Sequence, residues 1–131
     1  MSTKTLFSII ESPGHPDFTA LYHSLGIKEN KINSMRKALA EIKRASLKKQ
    51  PPDFIVAEFF YGYGNNYAGV NISNLDVLLY SLQKYSAQTK VIVLVDKNEF
   101  EHANKLNKII KLHDIFKFPV NSKQLQESLT R

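Results

Sequence analysis

A chain of 131 residues, 43% of them hydrophobic, has the size of one domain and enough apolar content to fold without disulfides or a structural metal. The lack of cysteine excludes thiol chemistry and cysteine-ligated metal sites and fits a cytoplasmic protein. The formal charge of +6 at pH 7 suits an acidic partner without identifying one, and no apolar run approaches the roughly 20 residues that span a bilayer.

Residues 1–10 lack the long apolar core of a signal peptide, and Thr5-Leu6-Phe7-Ser8-Ile9-Ile10 reads as a strand ending at Glu11. Ser12-Pro13-Gly14-His15-Pro16 breaks it, and Pro16 suits the first turn of a helix. Phe18, Leu21, Tyr22 and Leu25 follow at helical spacing until Gly26. The polar stretch from Ile27 to Ile32 holds a short strand at a sheet edge. From Ser34, a helix buries Met35, Ala38, Leu39, Ile42 and Leu47, with Arg36, Lys37, Lys43, Arg44, Lys48 and Lys49 outward. Pro51 and Pro52 end it and start an extended segment.

Phe54 to Ala57 is a short unbroken apolar run, as expected of a strand buried on both faces of a parallel sheet, and Glu58 closes it. The glycines and asparagines of residues 60–69 make a loop over the strand's end. Ser73 opens the next helix, with Asp76 three residues on and Ile72 and Val77 as a hydrophobic staple; Leu75, Leu78, Leu79 and Leu82 face inward. Val91 to Val95 is a second fully buried strand. Asp96 and Glu99 then start a helix through Ala103, Leu106 and Ile110, with Val95 and Phe100 as its staple. Ile115 to Phe118 is the last strand, and Pro119 ends it. Asn121 caps a final helix, with Gln124 at its third position, Val120 against Leu125, and Leu129 one turn later. Five strands alternating with five helices specify an α/β domain with a parallel sheet covered on both faces.

In that order of elements, and in Pro52-Asp53-Phe54-Ile55-Val56-Ala57-Glu58, Lys90-Val91-Ile92-Val93-Leu94-Val95 and Ile115-Phe116-Lys117-Phe118-Pro119-Val120, the chain resembles the receiver domain of bacterial two-component response regulators. The resemblance covers nearly the whole chain. It implies a flavodoxin-like (CheY-like) three-layer sandwich, a single domain whose strands are ordered 2-1-3-4-5, and a cis peptide before Pro119 that brings Phe118 over the sheet end near Glu58.

The departures from the family pattern fall on its site. Of the acidic pair that holds magnesium only Glu11 is present, between Ile10 and Ser12. Glu58 replaces the phospho-accepting aspartate, Val95 the hydroxyl residue and Phe118 the lysine. One or two carboxylates bind magnesium weakly, and without the lysine no fixed cation neutralises a phosphoryl group. The resemblance therefore implies a degenerate, non-phosphorylatable receiver with no metal, no cofactor and no enzymatic activity. Glu58 has two readings, a solvated strand end or an outward-pointing imitation of an aspartyl phosphate.

The partner expected is a signalling protein, with a weak homodimer as a second possibility. Family precedent puts the contact on the face of the fourth helix, last strand and fifth helix, through Phe100, His102, Lys105, Ile109 and Lys117. Tyr61, Tyr63 and Tyr67 on the glycine-rich loop are further candidate anchors. His15, His23, His102 and His113 lack metal-ligand spacing and read as solvated or core residues, and Gly62-Tyr63-Gly64 lacks the third glycine of a phosphate loop. Two other functions stay open: nucleic-acid binding through the basic face of the second helix, and an atypical phospho-accepting receiver.

Overall fold

The computed structural model describes residues 3–60 and 73–131. Five strands, β1 (Thr5–Ile9), β2 (Lys28–Ile32), β3 (Phe54–Glu58), β4 (Lys90–Val95) and β5 (Asp114–Lys117), form one sheet in the order β2-β1-β3-β4-β5. Every pairing is parallel, with Ser8 beside Val56, Glu58 beside Leu94, and Val95 beside Lys117. Helices α1 (Thr19–Ser24), α2 (Met35–Leu47), α3 (Asp76–Tyr85), α4 (Phe100–Asn104) and α5 (Ser122–Leu129) lie between and after the strands. This is the flavodoxin-like arrangement that the receiver resemblance implies. Among the described residues no helix is long and apolar enough to cross a membrane.

The alternation of strand side chains divides the core into two layers. Ile55, Ala57, Val91, Val93 and Val95 pack with α2, α3 and α4, whereas Phe54, Val56, Ile92 and Leu94 pack with Tyr22 of α1 and Leu125 and Leu129 of α5. Both faces of β3 and β4 are thus apolar, which is why their sequences run unbroken rather than alternating.

Local chemistry sets most boundaries. Ser34 Oγ accepts the Lys37 amide at 3.2 Å, and Asn121 Oδ1 accepts those of Lys123 and Gln124 at 2.8 and 3.1 Å. Gly26 ends the α1 segment at φ +73°, a conformation that favours glycine. β2 is the edge strand, as its polar sequence implies.

Several expectations are corrected. Helix α1 starts not at Pro16 but at Thr19, whose amide is taken by Asp17 Oδ1 at 2.8 Å in a local turn. Leu47 is 74% exposed, because it lies about 140° around the helix from Ile42. Half-buried Ala45 takes that place against the core instead. Ser73 and Asp76 do bond, Asp76 Oδ1 accepting the Ser73 amide at 2.6 Å, but around a turn, so that α3 begins only at Asp76. Val77 is half exposed, and Ile72, the other half of the expected staple, lies outside the described residues.

The expected long fourth helix is broken into 3-10 turns, Lys97–Glu99 and Lys105–Lys108, on either side of α4. The Asn107 side-chain amide donates to the Asn104 carbonyl at 3.0 Å, competing with the helical ladder. Asn107 Oδ1 then accepts the Leu112 amide at 2.8 Å. Strand β5 runs one residue earlier at each end than expected.

Leu94 is fully buried in the layer under α1 and α5. Leu94→Ala is expected to destabilise the domain by about 2–5 kcal/mol. Urea unfolding checks this; a loss within the range of an exposed-site control such as Leu47→Ala would contradict the packing described.

Candidate functional site

Parallel strands bring their carboxyl ends to one edge of the sheet, where ligands of open α/β domains gather. Glu58 and Val95 close β3 and β4, Glu11 follows β1, and Phe118 follows β5, so the fold gathers all four positions at that edge. Backbone bonds join the segments there, the Phe59 amide to the Leu94 carbonyl and the Phe118 amide to the Val95 carbonyl, both at 3.0 Å.

Glu58 is neither a solvated strand end nor an outward-pointing charge. It is 6% exposed, and its Oε1 accepts the amides of Glu11 and Ser12, each at 3.0 Å. The chain leaving β1 offers two successive N–H groups, and the glutamate side chain reaches them. A buried carboxylate needs such partners, and two convergent backbone dipoles supply them.

The other three positions offer little to an anion. Val95 is fully buried in the layer of α2, α3 and α4. The Phe118–Pro119 peptide is cis, and the Phe118 ring packs against the α1/α5 layer and meets the His15 ring edge-on at 5.1 Å. Glu11 Oε1 is buried and without a hydrogen-bond partner among the described residues. Magnesium needs several oxygens in octahedral array. One oxygen of Glu58 is already engaged with two amides, and no group of three or more His, Cys, Asp or Glu among the described residues is placed to hold a metal. This site does not fit the ion.

Two further residues organise the edge. His15 donates its backbone amide to the Ser12 carbonyl at 3.2 Å and its Nδ1–H to the Pro16 carbonyl at 2.9 Å. It therefore belongs to the turn that Glu58 holds, a role its isolated position in the sequence concealed. Asn74, 5% exposed, donates Nδ2–H to the Glu58 carbonyl at 2.8 Å and accepts the Phe60 amide at 2.6 Å. Its own amide returns to the Phe60 carbonyl at 3.1 Å. Only its place beside the helix-opening serine hinted at this.

On the expected contact face, Lys117 Nζ lies 4.9 Å from the Phe100 ring centroid. Phe100 and Ile109 are half-buried against the core, and the Ile109 carbonyl accepts Gln83 Nε2–H at 2.8 Å. Lys105 and Lys117 are exposed and His102 is half-buried. Tyr61, Tyr63 and Tyr67 lie outside the described residues. On α2, Arg44 pairs with Glu41, which holds that carboxyl below its ordinary range, while Arg36, Lys37 and Lys43 are exposed.

No family model and no curated protein matches the sequence. Among solved structures the chain is similar to a response regulator receiver domain protein from Clostridium thermocellum, at 13% identity and a TM-score of 0.67, over 97% of this chain and 91% of that one. It is similar to the receiver domain of Francisella response regulator 1452, at 17% identity and 0.68, over 97% and 93%. The receiver domain of the Pseudomonas aeruginosa sensor histidine kinase PA1611 matches at 15% and 0.69, over 99% and 97%; that structure has a magnesium ion coordinated in its active-site cleft. The chain has the receiver-domain fold over nearly its whole length.

Glu58→Ala leaves two amides without their acceptor and is expected to cost about 1–3 kcal/mol. Glu58→Gln keeps an oxygen for both amides and should cost clearly less. Urea unfolding of the two variants side by side checks the order; no loss in Glu58→Ala would show that the carboxylate has no structural role.

Proposed function

We propose that the protein is a degenerate receiver, a pseudo-receiver, that works in two-component-type signal transduction as a protein-interaction module and transfers no phosphoryl group. The observation that carries this reading is the orientation of Glu58. Its carboxylate is buried and bonded to the Glu11 and Ser12 amides, so the group at the phospho-acceptor position is committed to holding the β1 exit. Phosphoryl transfer depends on a positioned nucleophile and on cations for the developing charge. Here the nucleophile is turned away, Phe118 supplies no cation, and the carboxylate pair does not fit magnesium.

A partner protein then reads the surface in a single fixed state. The exposed Lys105 and Lys117, with the half-buried Phe100, His102 and Ile109 beside them, form the favoured contact face. It suits an acidic partner, in keeping with the net charge of +6.

Incubation with acetyl phosphate and magnesium, followed by intact-mass spectrometry, is expected to show an unchanged mass. A gain of one phosphoryl group that Glu58→Gln abolishes would overturn the proposal. The Lys105→Glu/Lys117→Glu double variant is expected to weaken partner binding at least about tenfold, roughly 1.4 kcal/mol, with little change in Tm. Binding that survives this reversal would move the contact elsewhere.

A further inference from the structure

The sheet has two edges, and the one far from the contact face proposed above is β2. In a parallel ladder, successive residues turn their N–H and C=O groups to opposite sides of the strand. The Lys28 amide donates to the Lys4 carbonyl at 2.9 Å, and the Ile32 carbonyl accepts the Ile10 amide at 3.1 Å, so Lys28, Asn30 and Ile32 face β1. Glu29 and Lys31 therefore direct their amides and carbonyls outward, where none of the described residues takes them. A cleft of about 600 Å³ opens across this edge. It is bordered by Asn30, Lys31 and Asn33 of the edge itself, by Asp17 ahead of α1, and by Lys37 and Arg44 of α2, all of them exposed. The unpaired edge is thus open to solvent, in a channel with a wall on either side.

The two walls differ in charge. On the α1 side, the Glu29 carboxylate accepts from Ser8 Oγ at 2.5 Å and Thr19 Oγ1 at 2.7 Å, and Lys31 pairs with Asp17 at 3.3 Å. Ile32 packs with the α2 layer, so by strand alternation the side chains of Lys28 and Asn30 also lie on the α2 side. There Arg44 is matched by Glu41. Lys28, at the start of the strand, and Lys37, on the helix that follows its other end, are exposed and in no ion pair among the described residues. The α2 side of the edge therefore carries unmatched positive charge. A second copy of the chain would bring the same lysines to the shared edge, and like charges across an edge destabilise the pairing.

We propose that the β2 edge binds an extended segment of a partner protein as a sixth strand, one with acidic side chains at alternate positions. The main-chain groups of Glu29 and Lys31 hold it by ladder hydrogen bonds, the usual source of affinity in strand addition. Its acidic side chains lie on the α2 side against Lys28 and Lys37, and the intervening side chains, small and uncharged, lie on the α1 side. This surface is separate from the α4 and β5 face, and neither contact depends on the other.

The test uses the whole chain, labelled with ¹⁵N, and an acetylated and amidated peptide, Thr-Glu-Thr-Glu-Thr-Glu-Thr. In the free protein the Glu29 and Lys31 amides are expected to exchange with solvent faster than those of Asn30 and Ile32. The peptide should shift the Glu29 and Lys31 amides saturably, with a Kd on the order of 1 mM or below, and slow their exchange. The counterpart Thr-Lys-Thr-Lys-Thr-Lys-Thr should not bind, and Glu-Glu-Glu-Thr-Thr-Thr-Thr, of equal charge without the alternation, should bind more weakly. The Lys28→Glu/Lys37→Glu variant changes two exposed side chains and should fold, yet should weaken the glutamate peptide at least about tenfold and bind the lysine peptide instead. Lys31→Pro removes an outward amide without touching the β1 ladder and should abolish binding. Glu29 and Lys31 amides already protected in the free protein would overturn the proposal, as would protection that grows with protein concentration alone, the mark of a second copy. Equal binding of the three peptides, or unaltered binding in Lys28→Glu/Lys37→Glu, would overturn it too.

Discussion

The two hydrogen bonds from the Glu11 and Ser12 amides to Glu58 Oε1 join the end of the central strand to the exit of its neighbour, and the geometry of the whole carboxyl edge follows from them. They fix the start of the turn that carries His15, and His15 in turn meets the Phe118 ring across the edge. Phe118 is bonded through its amide to Val95 at the end of β4. One carboxylate thus sits at the head of a chain of contacts running from β1 to β5. Its negative charge is balanced by main-chain dipoles. An anion satisfied in this way gains little from a further ligand.

The sheet beneath this edge is packed on both of its faces. Both faces of β3 and β4 are closed by helices, and nearly every apolar side chain on those strands is excluded from water. Each large buried side chain contributes about 1.5–3 kcal/mol against leaving it exposed. Most of the burial that stabilises the fold therefore lies within these strands, away from the edge.

Much of the architecture was readable from local sequence, and the reason is visible residue by residue. Phe54 to Ala57 and Val91 to Val95 are continuous apolar runs because both their faces are buried, and Asn121 caps α5 within its own turn. What escaped depends on side chains competing with backbone or on partners far apart in the chain. Asn107 takes the Asn104 carbonyl and breaks a helix that its apolar spacing would continue. Glu58 finds amides 46 and 47 residues away, so no pattern around it distinguishes an inward carboxylate from a solvated one. Ser8 and Glu29 are likewise 21 residues apart, and each alone looks like an ordinary polar residue in a strand.

Asn74 has a consequence of another kind. Its side chain holds the Glu58 carbonyl and the Phe60 amide, and its own amide holds the Phe60 carbonyl, so the chain is tied on both sides of the interval from residue 61 to residue 72. The covalent path through that interval is closed at its base by hydrogen bonds that do not involve it. Loop-closure entropy rises only slowly with length, by about 0.6 kcal/mol for each doubling. The clasp therefore sets the separation of residues 60 and 74 through bonds of their own, and these two ends offer fixed points for grafting a segment of another length between them.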